Sequence, residues 1–352
     1  MNATNSKFVE TLERRRLLAQ CAAIDGVAVL GDSYSDEYQF YAPDRSTARN
    51  WVEQLDEDTS ADFGAFSTID PPGPLNAGFA NNWAVSGATS SDMIAGGQHT
   101  GAAAQAASGA VDLVTMFIGG NDFRRVFQIL ATQGPEPALD ALQQAIPTLL
   151  TNIAVASGTI LSPAVLSANP DVRLILTTIP NPSYLPEVRA ALVVTPQIRP
   201  FVDAVDQAVE FVNGQIRAQA TNSPLVAVAE FDGMIDRIFA SGELRVGNAV
   251  IDLESINNPT NSPLVFALAD RIHPGTIGQG LLANLYVETA NRAFDADLQR
   301  LSTRDLLENA GLAPGFATDR AGGGPRFADR PAFVSRAIDE LFGTASDELS
   351  LT

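Results

Sequence analysis

The sequence predicts a three-layer α/β/α domain around a central parallel sheet, and three observations carry that prediction. Apolar runs at 27–30, 111–118, 173–179 and 225–229, with a weaker one at 82–86, are continuous rather than alternating. Strands buried on both faces, as in parallel sheets, read that way. Helical patterns separate the runs, and strand–helix alternation implies parallel strands with helices on both faces. Finally, Ser33, Gly87 and Asn121 each lie just past the end of an apolar run. In such sheets ligands meet the carboxyl ends of the strands, so the sequence sets these three residues along one edge.

In chain order, a helical pattern over 5–22 precedes the first strand, and others follow at 48–56, 99–109, the long segment 136–168, 197–220 and 277–299. Asp70-Pro71-Pro72-Gly73-Pro74 and the stretch from Asn257 to Pro263 are loop chemistry, and each shortly precedes a polar segment of interest, where it can wall a cleft. No internal repeat is visible. Beyond 300 the composition changes. Leu312 to Pro331 holds Gly322-Gly323-Gly324-Pro325 and mixed charges, which reads as a linker or a surface-draped segment. After it Phe333, Val334, Ala337, Ile338, Leu341 and Phe342 recur at helical spacing. The expected organisation is one domain over 1–300, including the N-terminal helix, and an extension over 301–352 that ends in a docked helix or a partner-binding tail.

A chain of 352 residues at 45% hydrophobic composition can bury one large core with an appendage. Its net charge of −19, from 41 acidic against 22 basic residues, argues against nucleic acid or anionic lipid as partner, because both require clustered positive charge. Lys7 is the only lysine. Cys21 is the single cysteine, so no intrachain disulfide and no cysteine metal cluster can form. Arg14-Arg15-Arg16 followed by Leu17 to Ala23 copies the charged and apolar regions of a signal peptide. The apolar stretch is short, Asp25 interrupts it and Ser33 follows closely, so the segment is read as part of the protein. No run reaches the roughly 18 apolar residues of a membrane span, and a soluble protein without a transmembrane segment is expected.

Four segments carry chemistry. Gly31-Asp32-Ser33-Tyr34-Ser35-Asp36 presents a hydroxyl where a buried strand breaks into a loop, which makes Ser33 a candidate nucleophile, although Gly, Asp and Ser also suit any strand-ending turn. A serine hydroxyl needs a base, and the chain has two histidines. His273 sits in Asp270-Arg271-Ile272-His273-Pro274, where a carboxylate three residues back can reach the imidazole through the turn and hold its tautomer. His99 lacks such a carboxylate and precedes an Ala-rich helical pattern, so a structural role is expected, with lining of the cleft as the alternative. Ser86-Gly87-Ala88-Thr89 and Gly119-Gly120-Asn121-Asp122 offer donors for a developing oxyanion: the amides of Ser33 and Gly87 and the side chain of Asn121. Gly87 could instead be a turn glycine. Asn121 could cap the helix before Phe123, unless Asp122 does so.

Together these segments resemble the block motifs of the GDSL or SGNH hydrolases, serine esterases and lipases, over about 31 to 290. The resemblance implies an SGNH-hydrolase-like, flavodoxin-like fold, with Ser33, Asp270 and His273 as the catalytic triad and Ser33, Gly87 and Asn121 as the oxyanion hole. Two positions depart from the pattern: Tyr34 stands where the family name has Leu, and Pro274 is followed by Gly275 where many members have Thr. Neither replaces a group that does chemistry. Tyr34, Phe123 and Ile272 flank these positions and are candidates for the substrate pocket, or else core. Asp32 is expected to bond loop amides.

No His-x-x-x-His or paired Cys motif exists, and Gly119-Gly120-Asn121-Asp122 lacks the spacing of a phosphate loop, so neither metal nor cofactor is expected. The reading is a serine esterase cleaving carboxylic esters, short-chain ones best, through an acyl-enzyme. Its expected partner is a small-molecule ester or an acylated carbohydrate. A carbohydrate deacetylase or an acyltransferase on the same residues stays open, and a non-catalytic binding module is the competing class.

Overall fold

The computed structural model describes residue 24, residues 26–71 and residues 75–312. The helical pattern expected at 5–22, Cys21, the linker glycines and the terminal pattern at 333–342 lie outside the described residues. Four parallel strands form the sheet: β1 (Val27–Gly31), β4 (Leu113–Phe117), β5 (Arg173–Thr177) and β6 (Val226–Ala229), in the order β1-β4-β5-β6. Val27 pairs with Leu113, Leu113 with Arg173, and Leu174 with Val226. Two antiparallel hairpins, β2 (Phe66–Ser67) with β3 (Gly78–Phe79) and β7 (Leu244–Val246) with β8 (Ala249–Ile251), lie outside this sheet.

Side chains alternate across the strands, so each face gathers its own core. Val27, Val29, Leu113, Phe117, Ile175 and Ala229 face α1 (Trp51–Asp58), α9 (Phe231–Ser241) and α10 (Thr276–Phe294). Ala28, Leu30, Val114, Met116, Leu174 and Leu176 face the other layer, built from α2 (Ser90–Ala95), α3 (Gln98–Ser108), α4 (Gly120–Gln133), α5 (Pro135–Ile160), α6 (Pro163–Ala168) and α8 (Arg199–Thr221). A further helix, α7 (Pro186–Val194), lies between β5 and α8, and α11 (Thr303–Asn309) packs Leu306 and Leu307 into the first core.

The three-layer α/β/α class therefore holds, with several local corrections. Residues 82–86 are not a regular strand. They run beside β1 through Trp83 N to Val29 O at 2.8 Å and Val85 N to Gly31 O at 3.2 Å, while Asn82 spends its side chain on Ser35 O and Ala84 N. The expected long helix 136–168 is two helices, broken at Leu161 and Ser162. Pro163 has no N–H to continue the first, and Ser162 accepts from Val165 N to cap the second. The pattern at 48–56 starts later, at Trp51, because Asn50 and Glu53 form a capping box there. The helix expected over 277–299 stops at Phe294, where Asp295 takes a left-handed conformation. Helices α2, α4, α7, α9 and α11 were not foreseen. Residues 135–168 hold a window of mean hydropathy 1.6, long and apolar enough by composition alone to cross a membrane, a property that core helices share. In the fold one side of α5 packs inward through Leu142, Leu149, Ile153 and Ile160.

Candidate active site

The loop after β1 places Ser33 at the carboxyl edge of the sheet. Gly31 is needed there, because a Cβ would sit 2.4 Å from Phe117 O on the neighbouring strand. Its amide and carbonyl are both bound by the Gln98 side chain, at 2.9 and 3.1 Å. Asp32 then folds the turn, accepting from Tyr34 N at 3.1 Å on Oδ1, as expected of it, and contacting Asn121 Nδ2 at 3.3 Å on Oδ2.

The loop between β8 and α10 brings Asp270 and His273 to the same point. Asp270 Oδ1 accepts from the amides of Ile272 and His273, each at 3.0 Å, so the carboxylate is fixed by its own turn. In the tautomer protonated at Nδ1, His273 donates to Asp270 Oδ2 at 2.6 Å, and its Nε2 accepts the Ser33 hydroxyl at 2.6 Å. All three side chains are shielded, with Ser33 only 7% and His273 8% exposed.

Burial pushes His273 below its ordinary value, outweighing Asp270, which acts in the opposite sense; Arg45 and Arg124 add to the lowering. The upward shift that a neighbouring carboxylate alone suggests is thus reversed. For Asp270 burial raises the pKa, yet the His273 hydrogen bond and charge, with the two amides, bring it below the usual carboxylate range. Burial lifts Asp32 to about 7 against the Tyr34 amide, with Asp122 adding to the rise.

Gly87 stands exposed beside this group at φ +81°, a conformation few side chains tolerate, and a Cβ there would meet nothing within 4 Å. The amides of Ser33 and Gly87 donate to no acceptor among the described residues. Asn121, in the first turn of α4, gives Nδ2 to Ala88 O at 3.0 Å and reaches Asp32 at the longer 3.3 Å. Neither it nor Asp122 caps α4, whose N-cap is Gly119. Asp122 instead accepts from Ser90 N at 2.8 Å and Ser90 Oγ at 2.7 Å, tying α2 to α4.

A cavity of about 50 Å³ opens on Ser33 and Asn121, walled by Phe117, Ile179, Pro182 and Leu185 together with Tyr34, Phe123 and Ile272. All three sequence candidates for the pocket line it. Phe123 is also core, at 1% exposure. The Tyr34 hydroxyl donates to Ile272 O at 2.8 Å, joining the first loop to the last. His99 stands apart at the start of α3. It is buried, its Nδ1 has no partner among the described residues, and it does not line this cavity.

Sequence reasoning missed Arg45, Asp36 and Ser86. Arg45 Nη1 donates to Ser33 O at 3.0 Å and Nη2 to Ser86 Oγ at 2.8 Å, while Asp36 Oδ2 accepts from Ser86 N at 2.6 Å and from the Tyr41 hydroxyl. These contacts join positions 12, 41 and 50 residues apart, and no local pattern announces them.

A hydroxyl–imidazole–carboxylate chain at the carboxyl edge of a parallel sheet has the architecture of a hydrolase. The chain belongs to the GDSL-like lipase/acylhydrolase family, whose model, described as GDSL-like Lipase/Acylhydrolase, matches residues 27–285. It is accordingly an enzyme acting on ester bonds. No curated protein matches the chain. Among solved structures it is similar to the lipase Lip_vut3 from a goat rumen metagenome, at 14% identity and TM-score 0.43 over 75% of this chain and 96% of that one. It is similar also to phospholipase A1 from Streptomyces albidoflavus NA297, at 17% identity and TM-score 0.44 over 77% and 100%. A third is an acetyl xylan esterase, Axe2, from Geobacillus stearothermophilus, at 18% identity and TM-score 0.39 over 79% and 98%.

Proposed function

We propose that this enzyme hydrolyses short-chain carboxylic esters, acetyl esters of carbohydrates included, through an acyl-enzyme on Ser33. The observation that carries the reading is the unbroken relay from Ser33 Oγ through His273 to Asp270, with both links at 2.6 Å. His273 Nε2 takes the Ser33 proton as Oγ attacks the ester carbonyl, then gives that proton to the departing alcohol. Water follows the same route: His273 removes its proton, the hydroxide attacks the acyl carbonyl, and the acid leaves with Ser33 restored. Asp270 holds the tautomer and stabilises the imidazolium that forms between these steps.

Negative charge on the carbonyl oxygen is met by the amides of Ser33 and Gly87 and by Asn121. Asn121 keeps one hydrogen on Ala88 O. The other lies on the 3.3 Å contact to Asp32, beyond the usual range, and turns to the oxyanion. Burial supports this chemistry by keeping His273 neutral, as a base must be.

The lining of the cavity supports an acyl group beside Ser33, since Phe117, Phe123, Ile179 and Leu185 wall it with apolar surface. The catalytic unit is proposed to run past the expected end at 300 as far as Leu312, because Leu301, Leu306, Leu307 and Leu312 belong to the first core, which leaves 313–352 as the extension. The test is a series of p-nitrophenyl esters from acetate to octanoate on the wild type and on Leu185→Ala. The wild type should prefer acetate, and the variant should shift preference towards hexanoate by about tenfold. A wild type that prefers octanoate would refute the acyl assignment.

A further inference from the structure

We infer that Arg45 is the positioning residue of the oxyanion hole, a buried cross-brace that fixes the Ser33 loop against the Ser86-Gly87 loop so that their two amides converge. The inference rests on the assignment of those amides as oxyanion donors. Arg45 is 5% exposed, unusual for arginine, which is almost never so buried unless paired. Its guanidinium lies over the Tyr41 ring at 3.8 Å and near the Tyr38 ring at 5.2 Å, so its plane is held by aromatic faces as well as by hydrogen bonds.

Its acceptors give the side chain a purpose beyond packing. Nη1 takes the Ser33 carbonyl, in the peptide unit whose N–H, that of Tyr34, is held by Asp32 at 3.1 Å. That peptide is pinned at both ends, which orients the residue presenting the Ser33 amide. Nη2 takes Ser86 Oγ, while Asp36 takes Ser86 N, so the residue before Gly87 is also held at two points. Gly87 itself has open space around its α-carbon and relies on its neighbour for direction. A fork with two donors in fixed geometry can span both loops at once, and the point-like ammonium of lysine cannot.

The consequence is confined to the transition state. Moving one amide away from the position of the developing charge weakens stabilisation of the tetrahedral species and leaves binding of the flat ester little changed. The test uses full-length Arg45→Lys, Arg45→Met, Ser86→Ala and the Arg45→Met/Ser86→Ala double variant, with p-nitrophenyl acetate kinetics, the inhibition constant of a small boronic acid that forms a tetrahedral adduct, and fluorophosphonate labelling of the wild type. Arg45→Lys should lower kcat roughly ten- to a hundredfold with KM within about twofold, and boronate affinity should fall by the same factor as kcat. Ser86→Ala should lower both by about tenfold, and the double variant should be no worse than Arg45→Met alone, since the two changes remove one shared contact.

Should the Arg45 variants fail to fold, Ser86→Ala decides. Unchanged kcat and boronate affinity in it, a loss expressed in KM, or additive losses in the double variant would overturn the cross-brace. Wild-type protein that labels at Ser33 under those outcomes retains the hydrolase reading and loses only this inference. Wild-type protein that does not label at Ser33 overturns both.

Discussion

Replacing Asp270 by Asn separates the orienting role of the carboxylate from its shape. Asp270 Oδ1 receives two amides at 3.0 Å, and Oδ2 receives His273 Nδ1 at 2.6 Å. An asparagine has one acceptor end and one donor end, so it cannot serve both. With its carbonyl oxygen on the two amides, its NH₂ faces Nδ1 and draws the His273 proton to Nε2, which can no longer accept from Ser33. With the amide flipped, two buried N–H groups face an NH₂, at about 1–3 kcal/mol for each donor left unmade, so the first orientation wins. The wrong tautomer then dominates. The expected loss in kcat is on the order of 10⁴, or about 5.5 kcal/mol of transition-state stabilisation, with the fold intact because the turn keeps its two amide bonds. Stopped-time hydrolysis of p-nitrophenyl acetate at pH 8, with the melting temperature as a control for folding, reads this directly. A folded Asp270→Asn enzyme within tenfold of wild type would refute the claim that Asp270 sets the tautomer.

The pH profile follows from the direction of the His273 shift: the neutral imidazole is the active form and burial lowers its pKa, so kcat/KM should rise through an ionisation whose midpoint lies below the ordinary value of about 6.5. A main midpoint above that value would mean that Asp270, not burial, governs the group; any lesser inflection near pH 7 should vanish in Asp32→Asn, since Asp32 is lifted to about 7. Asn121→Ala should cost roughly 10² to 10³ in kcat with little change in KM, and an effect on KM alone would remove Asn121 from the oxyanion hole. Truncation after Leu312 should keep hydrolysis of a small ester within about threefold, because every proposed catalytic group precedes it. Truncation after Arg300 should instead lower thermal stability, since Leu306 and Leu307 are buried, a Cβ on Gly280 would lie 2.3 Å from Leu306, and Asn284 binds the Leu301 backbone; equal melting temperatures for the two truncations would contradict this.

The parts of the fold legible in the sequence were those with a strong local signal. Strands β1, β4 and β5 are buried on both faces and therefore continuous in apolar residues, and β6 is buried on one face and half-buried on the other. Helices α4 and α9 escaped notice because they follow their strands almost at once: α4 begins inside the Gly119-Gly120 pair, and a single residue, Glu230, separates β6 from α9. Segment 82–86 reads as a strand by composition, yet Asn82 diverts its side chain to the Ser33 loop.

In the site, the groups proposed for chemistry were legible because each sits in a short segment whose spacing does the work. Asp270 and His273 are three residues apart, and the turn between them supplies the contact. What holds those segments together was not legible. Arg45 looks like any loop arginine until the fold sets it between Ser33 and Ser86, and Asp122 looks like a cap for its own helix until α2 arrives beside it. The direction of the His273 shift was hidden for the same reason, since Asp270 is visible in the sequence and burial is not.

The central claim is that Ser33 forms a covalent intermediate with His273 as its base. Incubation with a fluorophosphonate, followed by intact mass and peptide mapping, tests it most directly in the wild type, Ser33→Ala and His273→Ala. The account predicts one adduct, on Ser33, absent from Ser33→Ala and formed at least about 10³ times more slowly in His273→Ala, with p-nitrophenyl acetate hydrolysis lost in parallel. An adduct on another serine, or full labelling and hydrolysis without His273, would contradict it.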